Sequence, residues 1–342
     1  MDTQLQSLSK IFTERLFRIP DYQRGYAWEE KQLRDFWNDI NQLEAGKNHY
    51  TGVLTLEAVP EDLYRKWEDD LWIIEAKNFQ PFYIVDGQQR LTTSIVLIQT
   101  ILEQVNSEDK LNYTSHLDIQ KKFIFDSKDD GISRSYIFGY EQDNPSYEYL
   151  KTHIFGEYST TAGDLKETTY TQNLRHAKLF FRGELEALNH NELGRIYKKV
   201  TQQLLFNIFT IAEEVDVCVA FETMNNRGKP LSYLELLKNR LIYLFLKFQE
   251  PDSEKRALRR TINDCWKAIY HNLGRNKNNP LDDDQFLAAH YLLYFSSLTR
   301  DRNEFEKYRR NVRLYRSEYP SFLLQIDLEL VLTTFQVLGV CL

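Results

Sequence analysis

Cysteine is scarce in this chain: Cys218, Cys265 and Cys341 are the three in 342 residues. None lies in a Cys-x-x-Cys pair, and an odd count builds no simple disulfide framework, which fits a reducing, cytoplasmic setting. Net positive charge is also missing. The balance is −7 and the pI about 5.6, which argues against a surface made for broad, non-specific DNA binding. Any nucleic-acid contact must come from a local basic patch or from a partner. No uncharged apolar run reaches the roughly 18–20 residues of a membrane span, so no membrane partner is expected. The start, MDTQLQSLSKIFTERLF, has no basic segment followed by an apolar core, and no signal peptide is expected.

Several catalytic signatures are absent too. There is no G-x-x-x-x-G-K-[ST] phosphate loop, no G-x-G-x-x-G after a strand, no H-E-x-x-H and no G-x-S-x-G elbow. The histidines, at 49, 116, 153, 176, 190, 271 and 290, include no pair at metal-ligand spacing, so a histidine–metal nuclease centre is not visible. No protein metal ligand is assigned.

What is present suffices for a large globular protein. The chain is 42% hydrophobic and 27% charged, and at about 150 residues per domain its length suggests two domains. The 21 Tyr, 21 Phe and 5 Trp read first as aromatic cores and alternatively as stacking surfaces for a base.

Residues 29–44 read as an amphipathic helix, with Leu33, Phe36, Trp37, Ile40 and Leu43 on one face and Gly46 as a stop. YTGVLTLEAV (50–59) reads as a strand. Charged residues 60–80 read as a loop or hairpin extension. FYIVDG (82–87) reads as a buried strand ending in a tight turn, and 91–105 as a helix with a wide apolar stripe. Residues 106–175 read as short helices and irregular loops, and LFNIFTIA (205–212) as another buried strand. VDVCVAFETMN (215–225) reads as a helix. A Ser-x-x-Glu capping box, Ser232 and Glu235, opens the next one. From Ser253 onward the pattern is helical. These readings give an α+β domain over 1–250, with a mostly helical or irregular insertion at 106–200, and an all-α region over 251–342.

Four clusters carry candidate chemistry. In FYIVDGQQRLTTSIVLI (82–98), a strand ends at Asp86, Gly87 permits a sharp turn, and a helix starts at about Gln88. The open N–H groups and dipole of that first turn make an anion site. Arg90 can fork two phosphate oxygens, and Thr92 and Thr93 can add hydroxyl donors. Gln88 and Gln89 can orient a phosphate or an attacking water, and Asp86 is an acceptor for a proton, a ribose hydroxyl or a metal-bound water. The same residues also read as an ordinary Asp-Gly turn with Asp86 as a cap. In RIPDYQRGYAW (18–28), Tyr22 can stack on a base and Arg24 can supply charge; an ordinary loop punctuated by Pro20 and Gly25 is the other reading. In FETMNNRGKPLSYLELLKNR (221–240), Asn225 and Asn226 offer amides and Gly228 permits φ > 0, unless the segment is simply a capped helix corner. In YRRNVRLYR (308–316), Arg309, Arg313 and Arg316 share a helix face, as a solvated surface or a DNA-phosphate contact.

Taken in order, IPDYQRGYAW (19–28), YTGVLTLE (50–57), YIVDGQQRLTT (83–93) and FETMNNRGKPLSYLELLKNRL (221–241) resemble the N-terminal, ParB/sulfiredoxin-like domain of GmrSD-type restriction endonucleases. Gly87-Gln88-Gln89-Arg90 stands where ParB proteins and sulfiredoxin hold nucleotide phosphates. The resemblance implies binding and hydrolysis of a nucleoside triphosphate, with Mg²⁺ held mainly by phosphates and water. It implies Asp86, Gln89 and Arg90 as the catalytic centre. Tyr22, Gln23 and Arg24 form a second wall, Gly87, Gln88, Arg90, Thr92 and Thr93 hold phosphate, and Asn225, Asn226 and Gly228 close the site. It further implies a role in defence against modified phage DNA, alongside an HNH-type nuclease. No His-x-x-Pro follows residue 250, so the nuclease is expected in another chain, or this is a short member. Oligomerisation is open. The alternatives are a non-hydrolysing nucleotide- or DNA-sensing scaffold for a partner nuclease and, by fold analogy alone, an ATP-dependent phosphotransferase.

Overall fold

In the computed structural model of the chain, residues 5–21, 23–44, 46–129, 133–142, 144, 146–158, 167–211, 232–235, 237–238, 241, 252–275 and 282–287 are described. The chain divides into two compact units, Met1–Val215 with Met224–Lys229, and Asp216–Thr223 with Pro230–Leu342. The division expected after residue 250 falls inside the second of these.

The first unit mixes helices with a mixed sheet. In chain order come β1 (Leu5–Ser7), α1 (Leu8–Ile11), β2 (Arg15–Ile19), α2 (Glu30–Gln42), β3 (His49–Ala58), α3 (Glu61–Tyr64), α4 (Leu71–Lys77), β4 (Gln80–Asp86) and α5 (Gln88–Glu103). There follow the hairpin β5 (Lys110–Leu111) and β6 (Thr114–Ser115), then α6 (His116–Phe123), β7 (Phe125–Ser127), β8 (Arg134–Tyr136), β9 (Phe138–Tyr140) and α7 (Ser146–Tyr149). The unit closes with α8 (Thr169–Leu185), α9 (His190–Lys198) and β10 (Leu204–Ile211). The main sheet has the order β1-β10-β3-β4-β2-β9. β4, β2 and β9 are mutually parallel, β3 is antiparallel to β4, and β10 runs parallel to β3.

Helices α2 and α5 form where the apolar spacing placed them. Leu33, Phe36, Trp37 and Ile40 are the buried face of α2, and the Gln32 side chain closes its start by accepting from the Glu29 N–H at 3.0 Å. Phe181 of α8 receives Phe36 and Trp37 edge-on or tilted, with ring centroids 6.3 and 6.1 Å away. Helix α5 packs on α8 and buries Leu91, Ile95, Ile98 and Ile101 completely.

Two expectations need correction. Residues 60–80 hold two helices, α3 and α4, rather than a loop: Ile73 and Ile74 supply an apolar face amid the charges. The buried Asp70, which precedes α4, pairs with Arg18 of β2. Burial pushes the Asp70 carboxyl above its ordinary range, against the pull of that guanidinium. Within 106–175, the irregular reading missed β9, which joins the main sheet through Arg18↔Gly139.

In the second unit the described residues are largely helical. Residues 233–235 begin a helix, α10 spans Asp252–Arg275, and 283–287 are helical. The Ser232–Glu235 box forms as expected: Ser232 N–H donates to Glu235 Oε2 at 2.9 Å, and Glu235 N–H to Ser232 Oγ at 3.2 Å. Trp266, Ile262, Ile269, Leu234 and Leu241 make its core. Residues 215–225 and the basic run 308–316 lie outside the described residues.

Candidate functional site

The parallel run of β4, β2 and β9 brings the carboxyl ends of three strands to one end of the sheet, and β3 begins there. That is the end at which open sheets hold ligands. Two bulges shape it. Thr51 is the extra residue between Tyr50 and Gly52 of β3, and Val85 is the extra residue before Asp86 of β4. Bulges re-aim strand ends beside functional sites.

Gly87 then turns the chain from β4 into α5 at φ +87°. A Cβ there would stand 2.9 Å from the Val53 carbonyl oxygen, so both the conformation and the close approach call for glycine. Gly87 is the N-cap of α5 and brings no side-chain cap. The helix's own bonding begins with Leu91 N–H to Gly87 O at 3.1 Å. The N–H groups of Gln88, Gln89 and Arg90 therefore have no acceptor within the helix and lie at the positive end of its 16 residues.

The 23–27 segment folds onto this turn, so the first two clusters of the sequence share one site. Gln23 Nε2 donates to Ile84 O at 2.9 Å and Val85 O at 2.8 Å, holding the β4 bulge. Gln89 answers from α5: its Oε1 accepts from Ala27 N–H at 2.8 Å, and its Nε2 donates to Gly25 O at 3.2 Å. Arg24 is buried in the same segment.

The two threonines face inward, at 1% and 0% exposure. Thr92 Oγ1 donates to Gln88 O at 2.7 Å, and Thr93 Oγ1 to Gln89 O at 2.8 Å. With its proton committed, Thr93 Oγ1 can only accept from the Tyr26 hydroxyl 2.7 Å away. Tyr140 of β9 is likewise fully buried, next to Thr92. Burial pushes both phenols above their ordinary pKa, and in each case the neighbouring threonine acts the other way. Both phenols thus stay neutral, and Tyr26 is the donor to Thr93. The hydroxyls expected to reach a phosphate are turned inward, and Thr93 ties the first turn of α5 to Tyr26.

Arg90, read as able to fork two phosphate oxygens, is largely enclosed. Its side chain is 12% exposed. Nη2 donates to Val53 O at 2.8 Å and lies 3.8 Å from Asp86 Oδ2. The guanidinium rests on the β3 bulge at Gly52. Asp86 is equally enclosed, at 18%. The Gln88 side-chain oxygen is buried beside this turn and accepts no hydrogen bond. Tyr22, Asn225, Asn226 and Gly228 lie outside the described residues.

Reasoning on the sequence missed Tyr26, Tyr140 and Gly52. The third had a signal: a lone glycine inside a strand pattern marks a bulge or a close backbone approach.

A family model for the GmrSD restriction endonuclease N-terminal domain matches residues 6–242. The chain belongs to this family. No curated protein shows significant similarity to it. The GmrSD match spans β1 to β10 and the whole Asp86–Arg90 turn, and it makes the chain a restriction-system component. Among the described residues, no group of three or more His, Cys, Asp or Glu could hold a metal ion, and no helix is long and apolar enough to cross a membrane.

Proposed function

We propose that this GmrSD-family chain is the nucleotide-binding, nucleotide-hydrolysing sensor of a modification-dependent, anti-phage restriction system. In this reading the first unit is a ParB/sulfiredoxin-like domain and the second a helical one. A partner nuclease, as a separate chain or domain, does the cutting on modified DNA. One observation carries the proposal: the start of α5, entered through a Gly87 that brings no side-chain cap and walled by Arg90 and Asp86 at the carboxyl ends of three strands.

The N–H groups of Gln88, Gln89 and Arg90 receive phosphate oxygens there, with the helix dipole behind them. The Arg90 guanidinium adds a fixed positive charge beside them. Asp86 takes the proton of the attacking water. Gln23 and Gln89 hold loop 23–27 against the turn, and in this reading Tyr22, Arg24, Asn225, Asn226 and Gly228 complete the nucleoside end. Mg²⁺, when bound, neutralises phosphate charge. The residues fit an ion carried on the nucleotide, since Mg²⁺ keeps most of its shell as phosphate and water and Asp86 offers a carboxylate.

ATP and GTP titrations with phosphate release on the whole chain test this. Asp86→Asn should bind nucleotide much as the parent does, while release falls about 100-fold or more, the usual worth of a general base. A parent chain that binds neither nucleotide overturns the reading. A nucleotide-bound scaffold without turnover is the second reading, and Gln89 favours it, because both ends of its amide are engaged by Ala27 and Gly25. Tight binding without phosphate release would select it.

A further inference from the structure

Gly52 lies in the β3 bulge at φ +138°, a region side chains avoid. An ideal Cβ there would lie 2.7 Å from Arg90 Nη1, 2.8 Å from Cζ and 3.3 Å from Nε. Three atoms of one planar group at such short range mean that the guanidinium lies flat across residue 52. Beside that contact, Arg90 Nη2 donates to the carbonyl of the next residue, Val53, at 2.8 Å. Gly87 approaches the same carbonyl so closely that a Cβ on it would stand 2.9 Å from the oxygen. Two glycines therefore clear the space around one β3 carbonyl, and Arg90 fills the space that the first leaves.

We infer that Gly52 is a positioning residue of this site. The absence of a Cβ at position 52 is the seat of the Arg90 guanidinium, and residue 52 sets the anion affinity of the α5 start through Arg90, without touching the ligand. The affinity half of the inference rests on the nucleotide reading above. The seat itself does not.

The test is a cycle of Gly52→Ala, Arg90→Ala and the double variant in the full chain, read by melting temperature and by ATP titration. Gly52→Ala should lower the melting temperature and weaken ATP binding about 10-fold or more, the scale of a charged hydrogen bond to phosphate. Added to Arg90→Ala, it should lower melting less and leave ATP binding within about 2-fold, because the group it displaces is gone. A Gly52→Ala chain that folds only together with Arg90→Ala supports the seat equally. Equal losses in both backgrounds, or failure to fold in both, would mean that backbone strain alone explains Gly52, and the inference falls. Methylguanidinium supplies a second readout. It should raise the melting temperature of Arg90→Ala when residue 52 is Gly and have no such effect on the double variant; equal effects on both overturn the seat. If the parent binds no ATP, the nucleotide reading fails, while the melting cycle and the methylguanidinium arm still decide the seat.

Discussion

At the scale of single residues, the site is built from side chains that hold one another, which changes what substitution should do. Tyr26 donates to Thr93, and Thr93 donates to the Gln89 carbonyl. Thr93→Val keeps the shape but leaves a fully buried phenol with no acceptor. An orphaned buried hydroxyl costs about 1–3 kcal/mol, whereas removing both partners together is nearly neutral. Thr93→Val should therefore melt well below the parent, and Thr93→Val with Tyr26→Phe should lose less than the sum of the single losses. Additive losses in urea titrations would mean the relay does not exist. The same logic applies to Arg90. Its bond to Val53 O and its near-complete enclosure mean that Arg90→Ala removes a structural contact as well as a charge. A drop of about 1–3 kcal/mol in stability is expected, not the negligible cost of an exposed arginine.

At the scale of elements, the hairpin of β5 and β6 carries an imbalance that can be measured. Its two-residue turn, Asn112-Tyr113, has φ of +48° and +66°, the left-handed pair of a type I′ turn. Asn tolerates that region and Gly favours it, but Tyr does not. Tyr113 is also 95% exposed, so its ring offsets none of the cost through packing within the chain. Tyr113→Gly should raise the urea midpoint of the first unit, by about 1 kcal/mol in stability. An unchanged or lower midpoint would show that the turn is not strained. Elements with a clean local period were readable from sequence: α2 from its apolar stripe, β3 from its alternation, and β4–Gly87–α5 from an apolar run ending in Asp-Gly. Helix α4 was not, because its Leu-Trp-Ile-Ile core is flanked by charges and its neighbour Asp70 finds its partner Arg18 far away in sequence. Nor was β9, whose three residues have no period of their own and become a strand only by pairing with β2. The site followed the same rule. Local geometry announced Asp86–Arg90, but the contacts that immobilise it, from Gly52 and Tyr26, come from another strand and a loop and leave little local trace.

At the scale of the whole molecule, the wealth of tyrosine gives stability a pH dependence whose direction is fixed. Tyr26, Tyr136, Tyr140, Tyr147, Tyr149 and Tyr197 all have raised pKa values, each chiefly through burial, and Tyr197 is pushed up to about 12. A phenol whose folded pKa is raised holds its proton more tightly in the native state. Its contribution is fully present below the unfolded value, about 10, and is lost as pH rises toward the folded value. Through that window, the loss should approach at most about 1.4 kcal/mol per pH unit for each of the most deeply buried tyrosines. All six lie in the first unit, so the alkaline loss should appear in the transition of that unit. Urea midpoints measured from pH 8 upward should stay level, as far as tyrosine governs them, to about pH 9 and then fall steeply. Tyr26→Phe should be less stable than the parent at neutral pH, because it leaves Thr93 without its donor, yet show a shallower alkaline slope, because one titrating group is gone. Tyrosinate absorbance gives the independent check. If all 21 tyrosines ionise near pH 10 while the chain is still folded, the phenols beside α5 are not enclosed as the structure has them, and the Tyr26–Thr93 relay at the start of that helix fails with them.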